Sequence, residues 1–132
     1  MSKSLCGKKV LVVDDDQLVC EVVNKTLGKI GLECEMAGSG RDAANIIRER
    51  GEEFDLFVID LVLPRGITGW DLVDIIKENT VTTKKPMIVL TGVFLSEAEI
   101  KKLGERVTVV LKKQEFGTSK FRSVAGSLLE TV

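Results

Sequence analysis

Five short apolar runs set the limits on how this chain folds. Val10-Leu11-Val12-Val13, Phe54-Asp55-Leu56-Phe57-Val58-Ile59 and Met87-Ile88-Val89-Leu90 are the strongest, Val107 to Leu111 is a further run, and Leu32 to Ala37 is a weaker, strand-like one. Such runs are too short for helices. The strong ones do not alternate between apolar and polar residues, as a sheet with one wet face would. They suit strands covered on both faces, the situation of a parallel sheet.

The segments between the runs are amphipathic with a helical period. Leu18, Val22, Val23, Leu27 and Ile30 form one stripe, with Gly31 placed to close the helix. Ala43, Ala44, Ile46 and Ile47 mark a second helix, and Trp70, Leu72, Val73, Ile75 and Ile76 a third. Ser96-Glu97-Ala98-Glu99 has the spacing of a capping box and opens a fourth. Phe121, Val124, Ala125, Leu128 and Leu129 give a fifth. The fold class this predicts is α/β: a (βα)5, doubly wound, five-stranded parallel sheet with helices on both faces. Ligands in such folds sit beyond the carboxyl ends of the strands, so the chemistry belongs at Val13–Asp16, Ile59–Leu63, Leu90–Val93 and Leu111–Lys113.

Bulk properties remove several classes of function. With 132 residues, the expectation is one domain over 1–132, with its core over about residues 8–130. Hydrophobic residues at 44% and charged residues at 30% argue against disorder, and a formal net charge of -1 gives no field toward nucleic acid or anionic lipid. Histidine is absent, which removes Ser-His-Asp and Cys-His catalysis and any phosphodonor histidine within the chain. Cys6, Cys20 and Cys34 are widely spaced and odd in number, so they read as reduced structural thiols rather than as a zinc site or disulfide framework. No apolar stretch suits a membrane span or a signal peptide, and the expected location is cytoplasmic.

The strand ends carry a particular set of groups. The first run ends in Asp14-Asp15-Asp16, the third in Asp60, the fourth in Thr91 and the fifth in Lys112-Lys113. A parallel sheet brings these ends together. Carboxylates so placed repel one another unless a cation compensates, and Mg²⁺, a hard ion that takes oxygen ligands, fits the set. Asp16 also suits the N-cap of the first helix, a structural role that competes with a functional one.

At these residues a family resemblance appears. Val10 to Asp16, Phe54 to Asp60 followed by Leu63-Pro64 and Gly69, Ile88-Val89-Leu90-Thr91-Gly92, and Lys112 together resemble the motifs of response-regulator receiver domains, in order and over essentially the whole chain. The resemblance implies a flavodoxin-like fold with strand order 2-1-3-4-5 and a two-component signalling role rather than an enzyme's turnover. It implies that Asp60 accepts a phosphoryl group from a phosphohistidine on a histidine kinase or histidine phosphotransfer protein. Asp14, Asp15, Asp60 and the backbone carbonyl of Val62 would hold Mg²⁺ or Mn²⁺. Thr91 would hydrogen-bond the phosphoryl group and Lys112 would pair with it. The face formed by the fourth helix, fifth strand and fifth helix is the expected partner or homodimer surface, with no direct role in binding nucleic acid or membrane.

The match has four departures. The loop after Asp60 carries one extra residue before Gly69; Lys113 stands where the family commonly has proline, which leaves Lys113 open as an alternative to Lys112; three residues before the lysine, where many family members have Tyr or Phe, stands Val109, or Val110 in the other register, and the chain contains no tyrosine. Finally, Val62 and Val93 occupy positions that flank the path of hydrolytic water in the family, and valine neither donates nor accepts. Slow self-dephosphorylation follows. Three rival readings stand beside the receiver. Gly38-Ser39-Gly40-Arg41-Asp42-Ala43 fits a dinucleotide fingerprint, but after the second strand rather than the first. Asp14-Asp15-Asp16 contains the D-x-D of haloacid-dehalogenase-type phosphatases, without their late acidic pair. A pseudo-receiver, the same fold used for docking without phosphorylation, is the third.

Overall fold

The computed structural model describes residues 7–92, 95–105, 107, 109–112 and 119–130. Five strands, β1 (Lys9–Val13), β2 (Glu33–Ala37), β3 (Leu56–Asp60), β4 (Met87–Thr91) and β5 (Val109–Lys112), alternate with five helices. These are α1 (Gln17–Gly28), α2 (Gly40–Arg50), α3 (Gly69–Glu78), α4 (Glu97–Gly104) and α5 (Ser119–Glu130), and a 3-10 turn at Gly51–Glu53 follows α2. All strand pairs are parallel, and the order is β2-β1-β3-β4-β5, as expected.

Side-chain parity along the strands divides the interior into two cores. Leu11, Val13, Phe57, Ile59 and Val89 project to one face, where Ala43 and Ile47 of α2, Leu72 and Ile76 of α3 and Leu103 of α4 cover them. The alternate residues Val10, Val12, Leu56, Val58, Ile88 and Leu90 meet Val19, Val23 and Leu27 of α1 and Phe121, Ala125 and Leu129 of α5. This two-sided cover is why β3 and β4 are apolar without alternation: every residue of each is buried.

Local signals set the helix ends. Asp16, Ser39, Thr68 and Ser96 cap α1 to α4 with their side chains, and Thr68 and Ser96 form full capping boxes with Asp71 and Glu99. The regular helix α1 stops at Gly28, earlier than the stripe suggests. Gly31, at φ +91°, then closes it: its N–H donates to the Gly28 carbonyl at 3.1 Å and that of Leu32 to the Leu27 carbonyl at 3.2 Å.

Two strands start later than their apolar runs. Phe54 donates its N–H to the Gly51 carbonyl, and Asp55 turns its carboxylate onto the Lys9 N–H at 2.9 Å, so β3 begins at Leu56. Val107 is buried but precedes β5, its N–H given to the Leu103 carbonyl at 2.8 Å as α4 unwinds. Among the described residues no helix is long and apolar enough to cross a membrane.

Candidate functional site

The C-terminal edge of the sheet gathers the predicted residues. β1 ends at Val13, and Asp14 stays fixed to the sheet by donating its N–H to the Ala37 carbonyl at 3.2 Å. Its side chain is buried, and its Oδ1 accepts the Asp16 N–H at 2.9 Å, which turns the chain sharply into α1. Asp16 in turn accepts the Leu18 N–H at 3.0 Å and is the N-cap. Its side chain is therefore committed to the helix, and it is not part of the acid cluster. Asp15, between them, is exposed.

Asp60 is the last residue of β3 and is 1% exposed. Its Oδ1 accepts the Val62 N–H at 3.1 Å, and the Leu61 N–H donates to the Leu90 carbonyl of the adjacent strand at 3.2 Å. Gly69 follows from this arrangement. It is the first residue of α3 and gives its N–H to the Leu61 carbonyl at 3.1 Å; a Cβ there would lie 2.2 Å from the Asp60 carbonyl oxygen. Only glycine lets α3 start so close to the backbone of the candidate acceptor.

Asp14, Asp15 and Asp60 each offer one carboxylate oxygen, and these oxygens all lie within 4.8 Å of one another. Three carboxylates at this range, two of them on buried side chains, form a group that could hold a cation. An all-oxygen donor set fits a hard divalent ion such as Mg²⁺ or Mn²⁺ and does not favour a thiophilic one. Thr91 ends β4 and is largely buried, and it stands in register with Lys112, the exposed last residue of β5. The strand register thus brings Lys112 beside the Thr91 strand end; Lys113 and Val93 lie outside the described residues.

Some of the surroundings escape a reading by motif. Gln17, Cys20 and Asn24, on one face of α1, line a cleft of about 380 Å³ that also includes Asp14 and Asp15. Their i, i+3, i+7 spacing is the signal that marks this face. The Cys20 thiol donates to the Asp14 carbonyl at 3.4 Å; burial, and then the nearby Asp14 and Asp16 charges, push its pKa up, so it is an inert thiol. Val62, two residues after Asp60, is 55% exposed, and Leu18, two after Asp16, is 68% exposed. The glycine-rich turn at Gly38–Gly40 caps α2 through Ser39 after β2, an edge strand, as the tight-turn reading expects.

Comparison with known proteins agrees with this geometry. Residues 10–121 match the response regulator receiver domain family, and the chain belongs to it. A curated relative, the 3',5'-cyclic-nucleotide phosphodiesterase regA of Dictyostelium discoideum, is 30% identical over 84 residues, 64% of this chain; the match spans about 10% of that protein's length. Among solved structures, the receiver domain of the Francisella response regulator 1452 superposes with a TM-score of 0.80 at 25% identity, covering 95% of this chain and 98% of that one. A response regulator receiver domain protein from Clostridium thermocellum gives 0.80 at 25% identity, covering 94% and 95%. The protein is thus a receiver domain of two-component signalling, a class of signalling module that interacts with histidine kinases or phosphotransfer proteins.

Proposed function

We propose that this receiver takes a phosphoryl group onto Asp60 from a partner's phosphohistidine, in a reaction that depends on a divalent cation, and that the modification switches its binding to an output partner. The observation that carries this reading is the convergence of the Asp14, Asp15 and Asp60 carboxylates within 4.8 Å. An Asp60 oxygen attacks phosphorus; the O–P bond forms as the P–N bond breaks, and the departing imidazole keeps the electron pair and takes a proton from water. Asp14, Asp15, Asp60 and the Val62 carbonyl would hold Mg²⁺ or Mn²⁺, which supplies charge neutralisation at the phosphoryl oxygens. Thr91 donates its hydroxyl to one of those oxygens and Lys112 pairs with another, so the chain's own contribution is positioning and electrostatics.

The test is intact mass after incubation with acetyl phosphate and Mg²⁺, beside Asp60→Asn and a metal-free control. One phosphoryl group gained by the wild type with metal, and by neither control, is the expected result. No gain by a protein that still binds Mg²⁺ overturns it in favour of a pseudo-receiver, which docks without phosphorylation.

A further inference from the structure

Away from the acid cluster, α2 and the loop between β3 and α3 enclose a cleft of about 810 Å³. One wall is a face of α2 carrying Arg41, Asn45 and Arg48, at the i, i+4, i+7 spacing of a single helical stripe. The other is the loop that holds the extra residue, with Pro64, Arg65 and Ile67. The two walls are packed together. A Cβ on Gly40, the first residue of α2, would lie 2.0 Å from the Ile67 carbonyl oxygen, so the loop backbone rests directly on the start of the helix. Arg65, at φ +59°, is the only non-glycine with positive φ among the described residues, and Gly66 follows at +66°. This paired left-handed turn accommodates the extra residue and sets Arg65 on the cleft wall.

The charge of the cleft is one-sided. Three of the chain's six arginines line it; none of its lysines and no carboxylate does. All three are exposed, and the nearby acids Glu35 and Glu53 pair with Arg50 and Lys9, not with these side chains. Asp42 and Glu49 are on the same helix but do not line the cleft. A solvated helix face usually mixes signs and favours lysine. Three guanidiniums without an acid are suited to forked hydrogen bonds with carboxylates or phosphates.

We propose that this cleft takes an extended acidic segment of a partner protein. The spacing favours a segment over a single small anion. Arg48 stands seven positions after Arg41, about 10.5 Å along the helix axis, a length that an extended run of about four residues covers. No aromatic residue lines the cleft, so nucleic-acid bases would have no surface on which to stack. Pro64 and Ile67 offer apolar contact to the stems of glutamate side chains. None of the acid cluster lines the cleft, although one of its walls belongs to the loop that leaves Asp60.

The experiment is fluorescence anisotropy of a labelled hexaglutamate peptide titrated with the unphosphorylated protein at low salt. The comparison is between the wild type, Arg41→Gln/Arg48→Gln, and Lys101→Gln/Lys102→Gln, a pair that removes equal charge from exposed positions on α4. Far-UV circular dichroism establishes that each variant is folded. The expected result is affinity weakened on the order of tenfold or more in the arginine pair and little changed in the lysine pair. Equal weakening by both pairs, or no binding by the wild type, overturns the proposal. So does arginine-dependent binding of inorganic polyphosphate without binding of hexaglutamate, since the cleft would then be a phosphate site.

Discussion

At the scale of single residues, the same side chain takes different work according to its place on a strand end. Asp14 is buried and shapes the turn, Asp15 is exposed beside it, and Asp16 caps α1. The sequence shows three acids at a strand end. It points to Asp16 as the cap, as the structure has it, but leaves open whether Asp16 also serves the site, because that depends on where its side chain is spent. Asp60, Thr91 and Lys112 were legible from the ends of their apolar runs. The Val62 N–H held by Asp60 and the closeness of Gly69 to the Asp60 backbone were not, since both are contacts of the backbone.

Val62 gives its N–H to Asp60 and is 55% exposed, and its apolar side chain has no means of orienting a water. Replacing it by asparagine should shorten the acyl-phosphate half-life, by roughly tenfold if an oriented water is what the wild type lacks. Following decay of the phosphorylated mass after the phosphodonor is removed checks this, and an unchanged or longer half-life would count against it. Cys34 allows a different test. Burial pushes its pKa to about 11, so at pH 8 only about one thiol in a thousand is ionised. Iodoacetamide at pH 8 should label Cys34 at least about tenfold more slowly in the folded protein than in urea, as read by peptide mass mapping.

At the scale of elements, the helix starts were more legible than the strand starts. Caps are local, and Ser96 with Glu99 declares α4 without help from the rest of the chain. Strand limits depend on neighbours. Phe54 and Asp55 read as β3, yet the 3-10 turn before them takes the Phe54 N–H and Lys9 takes the Asp55 carboxylate. Gly69 is where an element bears on the site. In Gly69→Ala the added methyl would meet the Asp60 carbonyl oxygen and the Leu61 Cα, neither of which yields cheaply. The expected cost is on the order of 2 kcal/mol of stability, read from urea unfolding. Phosphorylation by acetyl phosphate should also slow, because α3 would push against the strand end that carries the acceptor.

At the scale of the whole molecule, a parallel sheet with a core on each face followed from the alternation of runs and stripes, because parallel connections allow few arrangements, while the strand order came with the family resemblance. The arginine cleft did not follow, since Arg65 and Arg48 meet only after α2 and the loop have packed. The acid cluster links the site to global stability. Folding gathers three carboxylates, and a cation that binds only the gathered form shifts the unfolding equilibrium. At Mg²⁺ a hundredfold above its Kd, the gain is about 2.7 kcal/mol, enough to raise Tm by several degrees. Asp15→Asn should raise Tm without metal, by relieving repulsion, and should lose most of the response to Mg²⁺. Thermal unfolding with and without MgCl₂ reads both effects.

The joint between β1 and α1 has one more consequence. Its three residues are spelled alike, so losing any one of them gives the same shorter chain, with Gln17 directly after two aspartates. A one-residue deletion here therefore has a single outcome. Pairing with β2 and β3 holds β1 through Val13 and the Asp14 N–H on the Ala37 carbonyl holds the next place, so the shortfall comes at the cap end of the joint, whichever codon was lost. The lineage would keep its acid pair and start its first helix badly, a fault of folding rather than of chemistry.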